Sequence, residues 1–273
     1  MVMPAADEGF AALCADHVAE CTALAALVAP LDAVGWGAAT QFYSWSVYDE
    51  IAHLCLFDEI AVFATRDRDA FRAEQTALEA RLASGIEVSE VARRRYAHLD
   101  GPALAAVWRV RYTSLAAQLS ALEPRIRLPW FGPDMSARSF VTARLMEVWA
   151  HGQDVYDALG LRRPATNSLR HIAHLGVLTC GWSFTNRGLT PPASVPYVEL
   201  TGPAGERWSW GALDAPESVR GTAMDFCLVV TQRRHLLDAR LEAAGEGARE
   251  WLRLAQCFAG PPVMGPEPGK FTH

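Results

Sequence analysis

Five segments rich in Ala and Leu, near residues 7–28, 47–65, 68–83, 103–122 and 136–159, repeat their apolar side chains with a helical period. Each must bury an apolar stripe, so this run constrains the first part of the chain to a bundle of neighbouring helices. Two of the segments carry their own boundary signals. Ser136 can cap the start of the last one, and Gly160 follows its final apolar residue, where a left-handed closing residue is favoured. Ser46 introduces the segment that starts at Val47, with Asp49 spaced to reciprocate as a capping box.

After Gly160 the texture changes. A helix is expected near 167–187, then strands over 195–201 and 207–210 joined by the turn Gly202-Pro203-Ala204-Gly205. Helices near 217–234 and 246–258 follow, and the tail from Gly260 is rich in Pro and Gly. The expected architecture is mainly α, with a helical bundle over residues 1–160 and a small α+β domain over 161–273. A hydrophobic fraction of 51% in 273 residues is enough to fill both cores.

Charge and targeting signals narrow the partners. With 25 basic against 31 acidic side chains and a net charge of -6, the chain lacks the basic footprint that phosphate backbones select, so nucleic acid is not expected. The first basic residue is Arg66, which leaves no positive flank for a signal peptide, and the apolar stretch 22–39 is broken by Pro30 and Asp32. A cytoplasmic protein without a membrane anchor is expected. The six cysteines (Cys14, Cys21, Cys55, Cys180, Cys227 and Cys257) form no CxxC pair, so they are read as buried thiols. Oligomeric state is left open.

The chemistry concentrates on two helices. At about 100° per residue, Arg144, Glu147, His151 and Asp154 fall on one stripe of helix 136–159. A Glu and a His one turn apart are ordinary on a solvated face. Here Thr142, Gln153 and Asp157 occupy the side opposite the apolar face, so the ionisable stripe is expected to flank the core instead. Helix 47–65 is apolar nearly all round, which makes His53 a buried imidazole in need of partners. A core histidine satisfied by Asp49 is one reading. The other pairs the helices, with Glu147 and His151 binding one ion and His53 completing the face, as bundle cores build metal sites. Two imidazoles and one carboxylate suit zinc, but also Fe(II), Ni or Mn, and three protein ligands leave a position open for water or substrate. Asp49 and Asp154, one turn from His53 and His151, are candidates to accept the free N–H of a ligating histidine. His17, His98, His171, His174 and His235 have no partner at metal spacing.

At Trp45-Ser46-Val47-Tyr48-Asp49 running to His53-Leu54, and at Arg144, Glu147, His151, Asp154 and Val155 with the Ala158-Leu159-Gly160 close, the sequence resembles the mycothiol-dependent maleylpyruvate isomerase family. The likeness continues through Pro129-Trp130-Phe131-Gly132 and Met135-Ser136-Ala137 and is similar to an actinobacterial metal-binding subfamily. That resemblance implies a DinB-like four-helix bundle, zinc or another divalent metal on His53, Glu147 and His151, and mycothiol as thiol cosubstrate. It implies catalytic roles for Arg144, steadying Glu147 or a substrate carboxylate, and for Asp154 behind His151. Trp45 and Trp130 are assigned to the pocket wall, although tryptophans in bundles more often fill the core. Where the family carries Thr-Gly-Arg this chain has Thr231-Gln232-Arg233, with Arg233 either a contact to an anionic substrate or a surface arginine. The expected activity is S-transfer or thiol exchange on a small electrophile. Alternatives are a cis–trans isomerase of a maleylpyruvate-like acid, a metal hydrolase or lyase that activates water, and a metal-binding protein without chemistry.

Overall fold

The computed structural model describes residues 7–270. It divides into two compact units, the first ending at Arg163 and the second beginning at Pro164.

The first unit contains α1 (Glu8–Val28), the single turn α2 (Ala33–Trp36), α3 (Val47–Arg66), α4 (Arg68–Ala83), α5 (Val88–Tyr96), α6 (Gly101–Ser120), a hairpin of β1 (Arg127–Trp130) and β2 (Gly132–Ser136), and α7 (Ala137–Ala158). Helices α1, α3, α6 and α7 form a four-helix bundle in which α1 and α3 each pack on both α6 and α7. Its core is filled by fully buried large side chains, among them Trp108, Phe71, Phe140 and Ile51. By length and composition α1 is apolar enough to cross a membrane, yet its buried face carries His17 and Glu20 and packs into the bundle.

Local chemistry sets the helix ends that matter for the site. Ser46 caps α3 and Asp49 closes the capping box onto the Ser46 backbone. Asp100 caps α6, and Pro102 stands in its first turn, where a missing N–H costs nothing. Gly101 permits the close approach of α6 to Trp36, since a Cβ there would overlap the indole. Ser136 caps α7, and Gly160 beyond its end has φ +64, the left-handed conformation that glycine adopts freely.

Sequence patterning missed α5 and the β1–β2 hairpin. Val88–Tyr96 is short and carries three consecutive arginines, so its apolar signal is only a few residues long. The hairpin contains Pro129 and Pro133, which argue against a strand interior, and its register is irregular between Leu128 and Trp130.

The second unit holds α8 (Leu169–Leu178), α9 (Cys180–Thr185), β3 (Tyr197–Thr201), β4 (Arg207–Trp210), β5 (Ser218–Thr222), α10 (Ala223–Val230), β6 (Leu241–Ala244) and α11 (Glu246–Leu254). Its sheet runs β4-β3-β5-β6, with β3 and β5 parallel and both outer pairs antiparallel. The expected helix 167–187 is broken at Thr179, and the expected helix 217–234 is corrected to strand β5 followed by α10. Thr222 ends that strand and caps the helix, so one residue serves both elements. Leu241–Ala244 has a helix-forming composition but pairs with β5, a case of tertiary pairing overriding propensity.

Candidate metal centre

Helices α3 and α7 bring His53, Glu147 and His151 together in the bundle. The Nε2 atoms of His53 and His151 lie 3.5 and 3.4 Å from the same oxygen, Glu147 Oε2. Both separations are long for hydrogen bonds, which cluster near 2.9 Å. They match the edge of a tetrahedron around a small cation, about 3.3–3.4 Å for ligand bonds of ~2.0–2.1 Å. The three donor atoms thus lie close enough together that one small divalent ion could sit among them.

Protonation agrees with that fit. Burial, reinforced by the adjacent His151 ring, pushes His53 down to about 4 even though Glu147 pulls the other way. The imidazole is neutral at pH 7 and keeps a lone pair to give. Burial alone would raise Glu147, but its contacts with His151 and His53 hold it well below the usual carboxylate range. The histidines are almost fully buried, while the Glu147 side chain keeps 28% exposure.

Aromatic rings form the walls. Trp45 stacks on His151 at 5.8 Å with an interplanar angle of 6° and lies 5.3 Å from His53. Phe42 meets His151 edge-on at 5.1 Å, and Phe57 lies 4.7 Å from His53. Trp45 thus touches both histidines. Trp130 stands one ring farther out, packed on Phe57, Phe71, Phe131 and Phe140. The loop that presents Phe42 and Trp45 is closed by a bridge between Ala39 and Ser46 and carries Tyr43 and Ser44 at φ 51 and 58. Two adjacent left-handed residues that are not glycine are costly, and strain of this kind concentrates where function fixes the backbone.

Three sequence-based roles change. Arg144 does not lie against Glu147; its guanidinium is buried and donates to Asp58 Oδ1 at 3.2 and 2.9 Å, while Trp108 Nε1 donates to Asp58 Oδ2 at 2.9 Å. It is a clamp between α3 and α7, the two helices that carry the ligands. Asp49 is committed to Ser46 and to a two-pronged pair with Arg93 at 2.8 and 2.7 Å, so it is not the partner of His53. Asp154 Oδ2 is 4.0 Å from His151 Nδ1, beyond hydrogen-bond reach, whereas Glu50 Oε2 is at 2.7 Å. Glu50, Thr40, Phe42 and Asp58 were not singled out in sequence. The available signal was an acid on a helix that is apolar all round: Glu50 lies three residues before His53 and is fully buried. Gln153, assigned to the solvent side of α7, is buried as well.

In the second unit, Arg233 is buried and its Nη1 donates to the carbonyl of Thr231 at 2.8 Å, so it is not a surface arginine. Gln232 holds φ 58, a conformation that favours glycine, and its amide donates to the carbonyls of Ala255 and Val263. His174 accepts a hydrogen bond from Trp210 Nε1 at 3.1 Å, a structural tie. A cavity of about 540 Å³ opens over the sheet between Glu199, Arg207, Arg220, Arg240 and Glu242, whose mixed charges are those of a solvated face.

Residues 17–156 match the sequence profile described as the mycothiol maleylpyruvate isomerase N-terminal domain. Residues 192–242 match a second profile, described as wyosine base formation. Two uncharacterized proteins of Mycobacterium tuberculosis, from strains CDC 1551 / Oshkosh and H37Rv, are each 47% identical over 251 residues, covering 92% of this chain and 96% of the relative. Crystal structures of the mycothiol-dependent maleylpyruvate isomerase and of a mutant of it superpose with TM-scores of 0.54 and 0.51 at 14% identity. They cover 87% and 83% of this chain and 92% and 89% of theirs, a likeness of fold.

Proposed function

Because the chain belongs to the family of the mycothiol maleylpyruvate isomerase N-terminal domain, we propose that it is a metal-dependent enzyme that uses a low-molecular-weight thiol, mycothiol, as nucleophile toward a small electrophilic metabolite. The observation that carries this reading is the spacing of His53 Nε2 and His151 Nε2 about Glu147 Oε2, 3.5 and 3.4 Å. A divalent cation held there, zinc by the donor set, would supply positive charge that lowers the pKa of a thiol at the remaining position, so that sulfur is nucleophilic at neutral pH.

The chain's own residues hold and shelter that chemistry. His53, Glu147 and His151 supply the donor atoms, and the Asp58–Arg144 pair keeps their helices in register. Trp45, Phe42 and Phe57 exclude bulk water from the histidines, which strengthens electrostatic interactions at the site. Trp130 is the outer wall, packed behind Phe57.

In S-transfer the thiol proton is lost to solvent, a sulfur–carbon bond forms and the leaving group departs with its bonding pair. The likeness of fold to the isomerase favours a second outcome. There sulfur adds to a conjugated double bond, the carbon–carbon bond rotates while single, and sulfur is expelled, leaving the thiol unchanged and the alkene isomerised.

One assay separates these outcomes. Zinc-loaded protein is incubated with mycothiol and, in parallel, with an alkyl halide and a cis-unsaturated acid, and the products are read by mass and by NMR. A thioether with loss of halide supports transfer; a trans acid without mass change supports isomerisation. Hydrolysis products formed at equal rate with and without mycothiol would transfer the reading to a water-activating hydrolase.

A further inference from the structure

The two histidines of the cluster are held unequally. Glu50 is completely buried on α3, one turn before His53. Its Oε2 lies 2.7 Å from His151 Nδ1 and its Oε1 accepts from Thr40 Oγ1 at 2.7 Å, so both carboxyl oxygens are engaged. Thr40 is itself buried, and its backbone N–H donates to the carbonyl of Trp45 at 2.6 Å. The indole of Trp45 in turn stacks on the His151 ring. Ring, hydrogen-bond acceptor and loop therefore close a circuit around His151. Nothing comparable surrounds His53, whose Nδ1 is buried without a hydrogen-bond partner among the described residues and whose ring meets only tilted aromatic neighbours and His151.

From this asymmetry we infer that Glu50, braced by Thr40, is a positioning residue that fixes His151 with its proton on Nδ1 and its Nε2 lone pair turned to the cluster, while His53 is the ligand that adapts. The inference rests on the metal-centre reading above. An ionised carboxylate can only accept at either oxygen, and Oε2 beside His151 Nδ1 therefore selects the Nδ1–H tautomer. An outer carboxylate on the distal nitrogen is the common means of orienting a metal-bound imidazole. The role expected of Asp154 from its one-turn spacing belongs to Glu50, because a hydrogen bond needs the 2.7 Å that Glu50 offers and not the 4.0 Å of Asp154.

The test uses the full chain with Glu50→Ala, Glu50→Gln and Thr40→Val, read first by ¹⁵N shifts of the histidine rings in metal-free protein and then by zinc affinity in a chelator competition. In the unaltered chain His151 shows a single Nδ1–H tautomer and His53 a mixture. Glu50→Ala makes His151 a mixture and weakens zinc by about 10–100-fold. Glu50→Gln, which keeps an oxygen for Nδ1–H, preserves the tautomer and loses less affinity. Thr40→Val, which leaves every ligand and Glu50 in place, carries the test if Glu50→Ala does not fold, and it broadens the His151 signal. His53→Gln weakens zinc less than His151→Gln does. An unchanged His151 tautomer in both Glu50→Ala and Thr40→Val, or equal losses for the two histidine variants, overturns the inference. If the unaltered chain bound no metal, the proposed function would fail while the tautomer measurement still judged Glu50.

Discussion

Gln232 bears a conflict between backbone and side chain. Its φ of 58 is the conformation a glycine would hold without penalty, yet its amide ties the carbonyls of Ala255 and Val263 at 3.0 and 2.8 Å. Gln232→Ala keeps the strain and loses both hydrogen bonds, whereas Gln232→Gly loses the bonds and relieves the strain. The alanine variant is therefore expected to be less stable than the glycine variant by about 1 kcal/mol, read from urea midpoints. Equal midpoints would mean that the backbone there carries no strain. At this scale the grouping of Glu147 with His151 is legible in sequence, because a Glu and a His one turn apart share a face whatever surrounds them, whereas His53 joins them through the bundle and the family likeness. The partners of those residues are not legible there. Asp49 and Glu50 are adjacent, and only the folded capping box, with Arg93 drawn onto Asp49, decides that Glu50 is the one turned to His151.

Helices α3 and α7 owe their register to a buried ion pair, since Asp58 has no exposure and Arg144 only 3%. Removing one partner leaves the other charged and unpaired, so Asp58→Ala is expected to cost about 3–5 kcal/mol and to weaken metal binding, although Asp58 touches no ligand. A loss below 1 kcal/mol in a denaturation curve would contradict the clamp. A second tie joins α3 to α5, where Arg95 and Tyr96 donate to Glu59 at 2.6 and 2.9 Å. Burial opposes ionisation of Glu59, but the Arg95 contact outweighs it and holds the group below its ordinary 4.5. A depressed carboxylate stabilises the fold above its unfolded value and loses that contribution as pH falls through the folded one. Unfolding free energy should thus decline from about pH 4.5 downward, and Glu59→Gln should flatten that decline; an unaltered acid limb would assign it to other groups. The long helices were readable because their period persists over several turns and their caps are local. Elements α5, β5 and β6 were not, being shorter than the window over which period is measured, and β6 forms only because β5 offers an edge.

For the whole molecule, the texture of the sequence changes near Gly160, and the two compact units divide between Arg163 and Pro164. A change from long periodic helices to short strands with Gly-Pro turns is a property of composition, which is why it can be read without coordinates. The mainly helical fold and the family were likewise legible, the first from periodicity and the second from motif residues that the profile match spans. What the whole chain does depends on whether the bundle holds an ion at all. X-ray absorption at the metal edge, with elemental analysis on full-length protein purified without chelator, tests this most directly. One zinc-like ion per chain is expected, bound by two imidazole nitrogens and a carboxylate oxygen with one further light atom, and lost in His151→Ala. Protein that carries no stoichiometric metal, or that keeps it in His151→Ala, would contradict it.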